Sequence, residues 1–147
     1  MFRLPLVSAL ILFSQLPLAA LAADPEIFHL RAEDEKEWGY AQAVRVGDTL
    51  YLSGTTGRGE SMADQVRNAY ERIRRTLEHF GADVTDVVRE TVFTTDMEAL
   101  KAASGTRKEF YKGHTPASSW IGIDRLFVPG ILVEIEVTAV LDDEPAD

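Results

Sequence analysis

The sequence predicts an α+β fold, in which a mixed β-sheet carries two helices on one of its faces. Two patterns support this prediction. Residues 131–141 have apolar side chains at every odd position from Ile131 to Leu141 and the polar residues Glu134, Glu136 and Thr138 between them, as expected of a strand with one buried face. Residues 62–80 instead repeat apolar side chains at three- and four-residue steps, which indicates an amphipathic helix.

The remaining elements follow from local signals. Ser61 followed by Asp64 is a capping-box pattern that predicts the start of the first helix, and Gly81 predicts its end. Ser104-Gly105 weakens the middle of the second predicted helix by about 1 kcal/mol. The predicted order is a strand at 26–31, a surface connection at 32–37, a hairpin at 41–46 and 49–53, a glycine-rich loop at 54–59, a helix at 61–81, a strand at 87–94, a helix at 96–111, a strand at 119–123 and a strand at 131–141.

Composition limits the possible functions. A chain of 147 residues is long enough for one domain with a real core. Its formal net charge of −9 and pI of about 4.8 argue against nucleic acid as a partner, because phosphate binding needs a basic face. Cysteine is absent, and the three histidines lack the spacing of metal ligands, so no metal site is predicted.

The first 22 residues have the pattern of a secretory signal peptide. Arg3 precedes an apolar run, and Ala20-Leu21-Ala22 is a small-x-small cleavage site. The run is short for a membrane span of about 20 apolar residues, so no stable membrane insertion is expected. We therefore expect cleavage after Ala22, a single domain over residues 23–147, and a periplasmic or secreted protein.

Two glutamates, Glu134 and Glu136, lie on the side of the last strand opposite its apolar residues. A solvated sheet face is the ordinary interpretation of such a pattern. However, a single sheet with helices on one face leaves its other face open, and a mixture of polar and apolar side chains there favours oligomerisation.

Several short motifs, in order and over roughly a hundred residues, resemble one known family. They are Val46-Gly47, Tyr51-Leu52-Ser53-Gly54, Gln65 with Asn68, Gly81-Ala82, Asp86-Val87-Val88, Thr91 to Met97, Pro116-Ala117, Arg125-Leu126 and Val133 to Val137. The chain from about residue 38 to 140 is similar to the reactive-intermediate deaminases, also called YjgF-like and once labelled endoribonuclease L-PSP. The resemblance implies a chorismate-mutase-like fold and a homotrimeric barrel with small-molecule clefts between subunits. It also implies cofactor-free hydrolysis of enamines and imines, such as 2-aminoacrylate, to a keto acid and ammonia.

The resemblance also implies the site residues. Glu134 would be the catalytic residue, and the substrate-binding residues would be Tyr40, Ser53, Gly54, Ser118 and Trp120. Active family members carry arginine directly after Pro-Ala, where this chain has Ser118, and a serine cannot neutralise a substrate carboxylate.

The serine therefore predicts a deaminase of altered or reduced activity. The alternative is a non-catalytic trimer that binds a small molecule or acts as a holdase. Arg58, Arg107 and Lys112 remain open as substitutes for the missing cation.

Overall fold

The computed structural model describes residues 24–141 and contains one six-stranded mixed sheet. Its strands are β1 (Glu26–Phe28), β2 (Ala43–Val46), β3 (Thr49–Thr56), β4 (Val87–Thr94), β5 (Ala117–Gly122) and β6 (Val133–Val140). They lie in the order β1-β2-β3-β6-β4-β5, and all neighbours are antiparallel except β4 and β5. The predicted α+β class is confirmed, and the last strand pairs with β3 and β4 in the middle of the sheet.

Within residues 24–141, four helices accompany the sheet: α1 (Ala32–Glu37), α2 (Met62–His79), α3 (Met97–Ala102) and α4 (Ser104–Tyr111). Helix α2 begins as predicted, because the Ser61 side chain accepts a hydrogen bond from the backbone N–H of Asp64. Its apolar stripe, which includes Val66, Ile73 and Leu77, is buried against the sheet. The core therefore lies between α2 and the apolar face of the central strands.

Three predictions about local structure are wrong or incomplete. Residues 32–37 form helix α1 rather than a surface connection, because the carboxylate of Glu35 is fully buried and hydrogen-bonded there. The predicted glycine-rich loop is shorter, since Gly54 to Thr56 continue β3 beside β6. The second predicted helix is two helices that meet at Ala103, next to the weak point at Ser104-Gly105.

The face of the sheet that lacks the helices remains open in the single chain. Tyr51 and Ile121 on this face are 52% and 41% exposed, and Glu136 lies beside them on β6. Within residues 24–141, no helix combines the length and the apolar character that crossing a bilayer requires. The predicted signal peptide lies outside the described residues.

Candidate functional site

A cavity of about 510 Å³ opens beside the ends of β3 and β6, and we call it the Glu134 cavity. Four of the six site residues expected from the sequence line it: Tyr40, Ser53, Gly54 and Glu134. The other lining residues are Arg31, Asp34, Trp38, Thr56, Phe127 and Val128. This volume lies within the range of small-molecule sites. The fold therefore brings four of the six expected residues together within one chain, from three separate stretches of sequence.

A β-bulge shapes the floor of the cavity. Leu52 pairs with Val137 and Thr55 with Ile135, so that two residues of β3, Ser53 and Gly54, oppose one residue of β6. The Thr55 hydroxyl donates to the Ser53 carbonyl over 2.9 Å and accepts from Gln42 Nε2, also over 2.9 Å. Both side chains are buried. These bonds hold the bulge in place and turn Ser53 and Gly54 toward the cavity.

Gly54 is required by the position of Glu134. A Cβ atom on Gly54 would lie 2.0 Å from Glu134 Oε1 and 2.7 Å from its Cδ, far inside van der Waals contact. The carboxylate thus occupies the space that any other residue at position 54 would fill. This close approach explains why a glycine interrupts an otherwise apolar and β-branched strand.

The environment of Glu134 favours its protonated form. Burial raises the pKa of the Glu134 carboxyl above its ordinary value, and the nearby negative charge of Glu136 raises the pKa further. The Ser53 hydroxyl donates its hydrogen to the Ala41 carbonyl over 2.6 Å. Ser53 consequently offers only acceptor lone pairs to a ligand.

A short strap, residues 31–40, supplies one wall of the cavity and was not recognised from the sequence. Glu35 anchors it, because its buried carboxylate accepts hydrogen bonds from the backbone N–H of Arg31 over 2.7 Å and of Gln42 over 3.2 Å. His29 Nδ1 lies 2.9 Å from the same carboxylate. The acidic run around Glu35 resembles a solvated connection, so composition alone concealed this buried anchor.

The rim of the cavity is aromatic. The rings of Trp38 and Phe127 meet edge to face at a centroid distance of 5.0 Å. Trp38, Tyr40 and Phe127 are 62%, 40% and 74% exposed, which is unusual for large apolar side chains outside binding surfaces. The rim therefore provides apolar contact area for a ligand above the polar floor.

Ser118 and Trp120 do not line this cavity within one chain. β4 separates their strand β5 from β6, and both side chains lie on the helix face of the sheet, opposite Glu134. The Ser118 hydroxyl donates to Glu90 Oε1 over 2.7 Å and accepts from Trp120 Nε1 over 3.0 Å. That a second subunit brings this pair to the cavity stays a prediction. The roles expected of all six residues stay predictions as well.

Glu90 is a fully buried carboxylate on β4, on the same face as the buried Val92 and Thr94. Besides Ser118, it accepts hydrogen bonds from the hydroxyls of Tyr70 over 3.0 Å and Tyr111 over 2.8 Å. Arg107 forms an ion pair with it. Burial, followed by the charge of Glu90, raises the pKa values of both tyrosines, so they remain donors at physiological pH. A glutamate among Val92 and Thr94 was the signal for this centre.

The three basic residues considered as substitutes for the missing arginine do not line the Glu134 cavity. Arg107 is engaged by Glu90, and although burial opposes its charge, this carboxylate raises the pKa of its guanidinium. Arg58 and Lys112 are exposed and do not line the cavity. Arg31 does line it. Among residues 24–141, no cluster of histidine and carboxylate side chains is arranged to hold a metal ion.

Comparison with known proteins identifies the family and agrees with the fold. The family model described as endoribonuclease L-PSP matches residues 33–141. The chain belongs to this family. A family relative named 2-iminobutanoate/2-iminopropanoate deaminase, from Dermatophagoides farinae, is 33% identical over 111 residues, which are 70% of this chain and 86% of the relative. A relative of the same name from Salmonella typhimurium is 30% identical over 111 residues, covering 69% and 86%.

Solved structures of the family have the same fold. A Mycobacterium tuberculosis protein described as a member of the YjgF/YER057c/UK114 family superposes with a TM-score of 0.76 at 33% identity, covering 80% of this chain and all of the other. A Neisseria meningitidis YjgF family protein gives 0.72 at 29% identity, covering 82% and 97%. The resemblance inferred from the sequence motifs is thus confirmed at the level of family and fold.

Replacing Gly54 tests the close approach to Glu134 in this family member. In Gly54→Ala, we expect the carboxylate to swing out of its half-buried position into water, because the end of a side chain moves more readily than the backbone. The pKa of Glu134 should then fall toward its ordinary value, as followed by carboxyl ¹³C NMR. Gly105→Ala is the control, since a Cβ there meets nothing within 4 Å. An unchanged Glu134 titration in folded Gly54→Ala would contradict this account.

Proposed function

We propose that this family member is a deaminase that hydrolyses an enamine or imine to a carbonyl compound and ammonia. The observation that carries the proposal is the carboxylate of Glu134, held half-buried over Gly54 in a cavity with Tyr40 and Ser53. The names of the relatives, 2-iminobutanoate/2-iminopropanoate deaminase, support the same reaction class. The net charge of −9 argues against RNA as the substrate, despite the family description.

In the proposed reaction, Glu134 removes a proton from a water molecule, and the water oxygen forms a bond with the imine carbon. The C=N electron pair moves to nitrogen, which takes the proton back from Glu134 and gives a carbinolamine. Glu134 then removes the hydroxyl proton of the carbinolamine and passes it to nitrogen, the C–N bond breaks, ammonia leaves and the hydroxyl oxygen becomes the carbonyl oxygen. An enamine first gains a proton on carbon to give the iminium ion, which becomes the imine when it loses a proton from nitrogen. Ser53, as a hydrogen-bond acceptor, suits the N–H of the imine. The Tyr40 hydroxyl can donate a hydrogen bond to the water-derived oxygen that becomes the carbonyl oxygen.

Glu134→Gln should lower the rate of ammonia release from freshly generated imines at least about 100-fold, because general-base catalysis contributes that much or more. The imines are supplied by an amino-acid oxidase acting on a series of amino acids. Glu98→Gln is the matched control, since the Glu98 side chain is 83% exposed and does not line the cavity. Folded Glu134→Gln with the wild-type rate would exclude Glu134 as the base.

The same assay has a defined pH dependence. A base must be ionised, and the pKa of Glu134 is raised, by burial and then by Glu136. Activity should therefore be lost on acidification at a higher pH than an ordinary glutamate would give. Glu136→Gln removes the second cause and should move this loss to lower pH.

We also propose that the chain forms a homotrimer with clefts between subunits. The open sheet face carries the exposed Tyr51 and Ile121, and β5 presents an uncharged edge. Light scattering should give about three times the mass of the chain, and Ile121→Asp should reduce that mass by placing a charge in the interface. A wild-type protein that is monomeric at micromolar concentration would refute the trimer.

Restoring an arginine after Pro116-Ala117 should not by itself increase activity. The Ser118 side chain points at Glu90, so a guanidinium introduced there pairs with that carboxylate rather than with a ligand. We expect no gain in 2-aminoacrylate hydrolysis for Ser118→Arg, and a gain only when Glu90→Gln is added. Glu90→Gln alone is the control. A gain in Ser118→Arg alone would show that Glu90 does not sequester the new charge.

One observation favours the alternative of ligand binding without turnover. The Ser118 hydroxyl has its hydrogen engaged by Glu90 and a lone pair engaged by Trp120, so little of it remains for a substrate. In that case the Glu134 cavity would bind a small molecule and release no ammonia.

The signal pattern at residues 1–22 supports the further proposal that the protein is exported and cleaved after Ala22.

A further inference from the structure

The question left by Ser118 is which group in this chain binds an acidic ligand. Arg31 is the one basic residue among the described residues that line the Glu134 cavity. Arg107 is held by the buried Glu90 carboxylate on the other side of the sheet. Arg72 donates a hydrogen bond to the Thr56 carbonyl and does not line the cavity. The cation available to a ligand in this cavity is therefore on the strap.

The backbone of Arg31 is fixed although its side chain is half-exposed. Its N–H donates to the buried carboxylate of Glu35 over 2.7 Å, and the N–H of Tyr40 donates to the Glu35 carbonyl over 3.0 Å. Both ends of the strap are thus bound to the same residue. This arrangement holds the origin of the Arg31 side chain in a constant position relative to Tyr40, which also lines the cavity.

The guanidinium of Arg31 can exchange its present partner for a ligand. Its Nη1 lies 3.3 Å from Asp34 Oδ2, and the two side chains are 49% and 55% exposed. An exposed ion pair between residues three apart in sequence contributes little, because water screens both charges. A planar guanidinium binds a carboxylate through two parallel hydrogen bonds, which are stronger when the ligand excludes water.

We propose that Arg31 is the carboxylate-binding residue of the Glu134 cavity, and that the ligand is an organic acid with an apolar side chain. Its carboxylate takes the place of Asp34 at Arg31, its apolar part packs against Trp38 and Phe127, and its reacting carbon faces Glu134. This inference rests on the proposed function for the identity of the reacting group, but not for the binding of the acid.

Calorimetry measures the binding of the acid independently of the proposed hydrolysis. The probes are phenylpyruvate, a keto acid of the class that the proposed reaction releases, and its uncharged methyl ester. We expect wild-type protein to bind the acid at least about tenfold more tightly than the ester, as a charge-assisted pair provides. Arg31→Gln should remove this preference while leaving the affinity for the ester unchanged, and Arg31→Lys should retain part of it.

Two further variants complete the test. Arg67→Gln is the matched control, because Arg67 forms the equivalent exposed pair with Asp64 three residues away, at 3.2 Å, outside the cavity. It should keep the full preference for the acid. Asp34→Asn should strengthen binding of the acid several-fold, since it removes both a competitor for Arg31 and a repelling charge.

The proposal is overturned if the wild-type protein shows no preference for the acid, if folded Arg31→Gln keeps that preference, or if Asp34→Asn weakens acid binding. Absence of ammonia release from any imine, together with Arg31-dependent binding of the acid, would instead refute the deaminase function and leave this assignment standing.

Discussion

The close approach of Glu134 to Gly54 is the constraint on which the candidate site depends. A carboxylate can lie this near to a strand backbone only where the facing residue has no side chain. The bulge at Ser53 and Gly54 creates that position, and the buried Gln42–Thr55 pair holds the bulge. Glutamate, glycine and bulge therefore form one structural unit. The half-burial that raises the pKa of Glu134 is a consequence of the same packing.

Two other buried carboxylates organise the regions around this unit. Glu35 binds both ends of the strap and thereby presents Arg31, Trp38 and Tyr40 to the cavity. Glu90 collects donors from two helices and from β5, including Ser118. Each of these two buried carboxyl groups is hydrogen-bonded to several donors, as burial of a polar group requires. These buried polar residues thus determine where the side chains of the candidate site lie.

Much of the fold was predictable because it rests on local periodicity and capping. The bounds of β4 agree with the prediction, and α2 begins at the predicted Ser61 cap. The prediction for residues 32–37 was wrong because an acidic run is normally solvated, whereas the burial of Glu35 depends on its partners His29 and Gln42. The break at Ala103 could be anticipated only as a weakness, because helix propensity sets a local cost and not a boundary.

The sequence by itself determined the α+β class, the family and four residues that line one cavity, since these follow from periodicity and from the order of short motifs along the chain. Only the tertiary structure decided that Ser118 faces Glu90 and that Arg31 faces the cavity. The reason is physical. The face of the sheet on which a side chain lies depends on strand pairing, and the partner of a buried charge depends on long-range packing. Neither the sheet face of a side chain nor the partner of a buried charge can be read from the local sequence pattern.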